Sequence, residues 1–158
     1  MAYRYSTALF VDFVNAIKTG MADGVLMFYS SSQPSGGPDA APTGSYIGKA
    51  TLAGGAWTAG TATNGLEFGT AVAVGNSSAT INKASAEDWR FVCENAGTIG
   101  WCRYVGNPVD NNSVSTTLRR IDMSCGVGSG DLMLTRLTFA VGESLSVSDF
   151  LLTLGNTA

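Results

Sequence analysis

Three stretches in the second half of the chain alternate with a period of two, and this pattern constrains the fold most. In "DWRFVCEN", Trp89, Phe91 and Cys93 alternate with Arg90, Val92 and Glu94. In "TIGWCRYV", Ile99 and Trp101 share one face, and Cys102 and Tyr104 the other. In "LRRIDMSC", Ile121, Met123 and Cys125 alternate with Arg120, Asp122 and Ser124. Successive strand side chains point to opposite faces, so such runs are strands with one apolar and one wet face. Further short apolar runs, "DLMLT", "RLTFAV" and "DFLLTL", follow at loop-like spacings. Upstream, Val25–Tyr29, Tyr46–Leu52, Val72–Val74 and Ala79–Asn82 read as strands, the third stopping at Gly75-Asn76. No helical pattern separates these runs, which disfavours a parallel α/β sheet. The expected fold is mainly β: an antiparallel β-sandwich, jelly-roll-like, with one N-terminal amphipathic helix.

That helix lies in "STALFVDFVNAIKTG". Leu9, Phe10, Phe13, Val14 and Ile17 recur at helical spacing, while Asp12, Asn15 and Lys18 fall on the other side. Ser6 or Thr7 can cap its start and Gly20 its end. The 158 residues fit one domain, with 1–23 as the helical segment and 24–158 as the sandwich. The apolar helix face either covers its own sheet or reaches a neighbouring subunit.

Two stretches lack apolar periodicity, Ser31–Gly44 and Asn107–Thr117. The first holds three of the four prolines, Pro34, Pro38 and Pro42, and is expected to be the crossover by which a sandwich changes sheets. Loops this long in a compact domain lean towards function. Gln33, Pro34, Asp39, Asn111 and Asn112 are therefore candidate contact residues, alongside the five apolar residues of the helix. Trp57, set among small residues in "GGAWTAGT", is the best candidate for an exposed or interfacial aromatic. Trp89 and Trp101 belong to alternating runs and are expected in the core.

The chain has no histidine, so neither a Ser-His-Asp nor a Cys-His catalytic site can be built. Cys93, Cys102 and Cys125 have no zinc-ligand spacing; they read as small buried hydrophobes, with a cross-strand bridge between Cys93 and Cys102 sterically open around a hairpin turn at Asn95–Gly97. "GVGSG" at Gly126–Gly130 is a turn. The scattered carboxylates fit solvated strand edges. No catalytic residue, metal site or cofactor is expected. Net charge is −3, and no basic cluster exists beyond Arg119-Arg120, so a nucleic-acid partner is not expected. No apolar run is long enough for a membrane span, and no export signal is visible.

The order of parts resembles small proteins encoded among the virion structural genes of tailed bacteriophages. The resemblance is carried by "DGVLMFYSSSQP", "GAWTAGTATNGLEF", "AEDW", "GWCRYV", "RRIDMSCGVGSGDLMLT" and "SVSDFLLTL". Ser31 stands where that pattern has glycine, so the turn there is not expected to need a positive φ. The resemblance implies a non-enzymatic particle component, foremost a capsid decoration (cement) protein. Such a protein would bind the major capsid protein on the shell exterior as a trimer or dimer, after assembly in the host cytoplasm. A tail, fibre or baseplate component is the alternative. A carbohydrate-binding module using Trp57 is the second.

Overall fold

The computed structural model describes residues 4–75 and 77–156. Residues 1–3 of the expected helical segment lie outside these, as do Asn76 and the last two residues of the chain.

Helix α1 spans Thr7–Met21. Ser6 caps it from extended backbone, its Oγ accepting the Leu9 N–H at 3.3 Å and so satisfying one orphan donor of the first turn. Lys18 in the last turn complements the negative end of the helix dipole. Phe10, Val14 and Met21 are buried, and α1 rests on β3 (Val72–Ala73) and β4 (Ser78–Asn82).

The strands form a seven-stranded sheet, a three-stranded sheet and a small ribbon. The large sheet contains β1 (Val25–Tyr29), β2 (Tyr46–Leu52), β5 (Trp89–Cys93), β7 (Trp101–Val105), β8 (Arg120–Gly126), β9 (Leu132–Met133) and β11 (Ser144–Val147). Their spatial order is β11-β5-β2-β1-β7-β8-β9. Every pair is antiparallel except β8 with β9. Within it, β7-β1-β2-β5 has the spatial order of a Greek key. In the second sheet β4 lies between β3 and β12 (Leu151–Gly155), and the ribbon pairs β6 (Gly97–Thr98) with β10 (Thr138–Phe139). The result is a mainly β protein with one helix and a curled, mostly antiparallel sheet.

One cluster of buried residues joins these parts. Leu26, Phe28, Ala50, Phe91 and Tyr104 of the large sheet meet Ala79 and Ile81 of β4, with Phe10 and Val14 of α1. At its centre Phe68, Trp89, Tyr104 and Phe150 pack ring against ring, with neighbouring centroids 5.0–6.2 Å apart. Tyr104 brings a hydroxyl into this core. It lies 3.1 Å from the Met21 carbonyl and 2.9 Å from that of Leu66, so the end of α1 is tied to the sheet.

Three expectations are corrected. The 31–44 segment does not change sheets: β1 and β2 are antiparallel neighbours, and the Ser30 N–H donates to the Ser45 carbonyl at its base. It is a long hairpin loop. Ser31 does take a positive φ, +65°. Across from it, a Cβ on Gly100 would stand 1.8 Å from the Ser31 carbonyl oxygen, so glycine is required on the facing chain rather than at the turn itself. Thirdly, β5 and β7 do not form a hairpin, because β2 and β1 lie between them; Cys93, Cys102 and Cys125 are all free thiols. Asn64-Gly65 turns the chain with Asn64 at φ +55° and joins no pair of strands. Leu66 and Phe68 instead make single bridges to Gly24 and Lys83.

The Gly100 contact makes a direct test. Gly100→Ala should destabilise the protein by about 1–3 kcal/mol, the usual cost of overpacking, read as a lower urea midpoint at unchanged slope. An unchanged midpoint would contradict the close approach of 31 and 100.

Candidate functional site

The outer face of the large sheet, away from the core, carries the most polar chemistry. Alternation places Met27, Tyr29, Trp101, Arg103, Arg120 and Asp122 there. The sequence predicts a wet face, yet over β7 and β8 it is dry. Arg103 is 0% exposed and Arg120 8%, because both long loops fold back over them.

Each arginine makes a paired contact with one aspartate and then reaches a loop carbonyl. Arg103 Nε and Nη2 donate to Asp122 at 2.6 and 2.8 Å, a directly opposed cross-strand pair. Its Nη1 donates to the Ala40 carbonyl at 3.0 Å. Arg120 Nε donates to Asp110 at 2.6 Å, and Nη2 bonds both Asp110 and the Ser113 carbonyl. Its Nη1 donates to the Pro38 carbonyl at 3.2 Å. Trp101 Nε1 adds a bond to the Thr43 carbonyl, and the Ser115 N–H bonds the Asp39 carbonyl. The loops are thus fastened to the sheet and to each other. Among the described residues, every buried side-chain nitrogen and oxygen has a hydrogen-bond partner. A planar guanidinium suits this double duty, since its five N–H groups serve a carboxylate and carbonyls at once.

Next to this clamp the rings of Tyr29 and Trp101 stack at 4.7 Å, with the Arg103 guanidinium 5.4 Å from the Trp101 centroid. A β-bulge at Phe28/Tyr29 sets Tyr46 beside Tyr29, their rings 5.9 Å apart, and sends Ile47 to the core. Tyr29 Oη donates to Asn112 Oδ1 at 3.3 Å. A cleft of about 410 Å³ opens here, lined by Met27, Tyr29, Pro42, Tyr46 and Asn112. Burial pushes the Tyr29 phenol up to about 12. Burial, and then the Glu94 charge, raise that of Tyr46 further. Both are neutral hydrogen-bonding groups at physiological pH.

The second surface is the outer side of α1. Of the five helix residues singled out from sequence, Phe10 and Val14 are not available to a partner, because they pack into the protein's own core. Ile17 is half-buried against it. Leu9 and Phe13 remain 36% and 41% exposed, and Tyr5 adds a ring that is 43% exposed. Tyr5, Phe10 and Phe13 contact one another edge to face at 5.9–6.1 Å, so the buried ring holds the exposed two in place. Val72 and Val74, on and just after β3, are also exposed.

The other candidates scatter. Gln33, Asp39 and Asn111 are exposed on the loops. Pro34 is buried and cannot serve as a contact. Asn112, half-buried, is held at φ +61° with its N–H bonded to Asp110 Oδ1. Trp57 is half-buried and donates through Nε1 to the Asp23 carbonyl at 2.9 Å, so it braces its own loop. Sequence reasoning missed Arg103, Asp110, Arg120, Asp122 and Tyr46. The signal present was an Arg-x-Asp step in an alternating run beside two long polar loops.

Among the described residues, no three His, Cys, Asp or Glu side chains gather as a metal site, and no helix is long and apolar enough to cross a membrane. Compared with known proteins, the chain matches no family model, no curated protein and no solved structure at a significant level.

The clamp has a pH signature. Burial alone would raise the Asp110 carboxyl, but the Arg120 hydrogen bonds, the Asn112 N–H and the Arg120 charge outweigh it and hold it below its usual range. Its stabilisation is therefore complete above the unfolded value of about 3.9 and is lost as pH falls through the depressed folded value. The melting-temperature advantage of wild type over Asp110→Asn should be largest near pH 6 and shrink below about pH 4. A gap that stays constant down to pH 2 would contradict the pairing.

Proposed function

We propose that this is a non-enzymatic virion structural protein, a capsid decoration protein that binds the major capsid protein and stabilises the shell. The observation that carries the reading is the outer side of α1. Phe10 and Val14 anchor the helix in the core, and so Tyr5, Leu9 and Phe13 are presented on a rigid support. Contiguous exposed apolar residues rimmed by polar ones mark interaction sites. Aromatic anchors on a preorganised surface lose little entropy on docking. Cementing needs only this: area buried across coat-subunit boundaries stabilises the assembled state by linkage.

Two finer points go with this reading. The sandwich is of jelly-roll type, supported by the Greek-key order β7-β1-β2-β5. The protein sits on the capsid exterior as a trimer or dimer, which multiplies weak contacts through avidity. A net charge of −3 suits a surface remote from packaged nucleic acid.

Purified protein added to capsids lacking it should bind and raise their disruption temperature. Leu9→Asp and Phe13→Asp should each weaken binding at least tenfold, about 1.4 kcal/mol. Exposed positions tolerate change within about 0.5 kcal/mol, so the melting temperature of the free protein should barely move. Capsids unaltered by saturating protein would contradict the proposal, and density at the tail in a virion reconstruction would replace it with the tail reading.

A further inference from the structure

The clamp covers the outer face over β7 and β8, and Val25 and Tyr29 of β1 are buried on that face too. Towards β2 and β5 the same face is partly exposed. There Met27, Lys49 and Val92 stand side by side across three strands. The cleft of about 410 Å³ at Tyr29 and Tyr46 lies on one side of Lys49. On the other lies a second of about 250 Å³, lined by Lys49, Thr51, Gly55, Val92 and Glu94. Lys49 Nζ and Glu94 Oε1 form an ion pair at 2.9 Å between the two, with side chains 31% and 40% exposed. The larger cleft alone falls within the size range of small-ligand sites, about 300–1,000 Å³.

We propose that this trough is a binding site for a neutral oligosaccharide. Its chemistry is that of a hydroxyl-rich ligand. A sugar hydroxyl both donates and accepts, and the trough offers both: the Glu94 carboxylate accepts, the Lys49 ammonium donates, and Asn112, with its oxygen engaged by Tyr29, offers its amide N–H groups. The Tyr46 ring supplies the apolar face against which the C–H side of a pyranose packs, in the manner of aromatic side chains with one wet end. Lys49 and Glu94 cancel in charge, which favours an uncharged ligand over an acidic one. A proline-rich peptide also docks on tyrosines, but its backbone presents mainly acceptors, and the acceptor-only Glu94 carboxylate cannot bond to those.

The site is rigid before any ligand arrives. Tyr29 is fixed by its stack on Trp101, Tyr46 by the bulge, and Asn112 by Tyr29 and Asp110. Preorganisation of this kind spares the ordering cost of binding. The trough also lies on the opposite face of the large sheet from the core layer that carries α1. Attachment through the helix would therefore leave it facing outward.

The test is a printed array of neutral and acidic oligosaccharides, probed with the intact protein and with Tyr46→Ala, Glu94→Gln, Asn112→Ala and Trp57→Ala. Wild type should retain neutral glycans. Tyr46→Ala and Asn112→Ala should lower the signal at least tenfold, and Glu94→Gln, which keeps the side-chain shape, should lower it severalfold at unchanged melting temperature. Trp57→Ala should bind as wild type. A flat array with folded protein would overturn the proposal. So would binding that survives Tyr46→Ala and Glu94→Gln, binding lost only in Trp57→Ala, or retention of a decaproline peptide in place of glycans. The inference is independent of the capsid reading: a flat array beside stabilised capsids defeats only the former, and glycan binding beside unaltered capsids only the latter.

Discussion

Two arginines on the outer sheet face determine what the rest of this surface can be. Arg103 and Arg120 are buried, each locked to one aspartate and each reaching a carbonyl of the 31–44 loop. An uncompensated charge in such a place costs about 3–5 kcal/mol, so the loops cannot lift away without exposing the guanidinium groups and breaking several charge-assisted bonds at once. A buried ion pair adds little net stability over a well-packed apolar substitute. What it adds here is direction: this seating of the loops satisfies both forks at once. That seating sets Pro42 and Asn112 against Tyr29 and Tyr46 and forms the wall of the outer trough.

The opposite side of the molecule follows a different logic. There the core does the positioning, and the exposed rings of α1 are held by the buried ones. Phe10 is the hinge of this arrangement, in contact with the core inward and with Tyr5 and Phe13 outward. The protein therefore offers two faces of unlike chemistry, one apolar and helical, one mixed and aromatic on a sheet. Under the proposed decoration role, one would turn to the shell and one to the surroundings.

Much of this was legible in the sequence where the cause is local. The Ser6 cap and the 3.6-residue period give the start and face of α1, although the helix runs through Gly20, expected to end it, to Met21, and β2 begins at Tyr46 and ends at Leu52, as its pattern predicts. The alternation of Trp89, Phe91 and Cys93 gives the correct inner face of β5. What local pattern does not carry is which strands become neighbours. The turn signal at Asn95–Gly97 suggests a hairpin, yet β5 pairs with β2 and β11. Likewise, Arg103 and Asp122 occupy positions that are wet on most sheets, and only loops distant in sequence make them dry. β11, "SLSV", escapes notice because two of its four residues are serine. Phe13 and Phe10 look alike in the helical pattern; which one is buried depends on how the helix lies on β4.

Amide hydrogen exchange tests the clamp most directly. The Ser115 N–H, bonded to Asp39, and the Asn112 N–H, bonded to Asp110, belong to loops that would exchange freely if they were mere connections. In wild-type protein both should exchange far more slowly than in an unstructured peptide, and Arg120→Met should release them while β1 and β2 amides stay protected. Peptide-like exchange in the wild type, or protection that persists in Arg120→Met, would contradict the claim that the arginines hold the loops to the sheet.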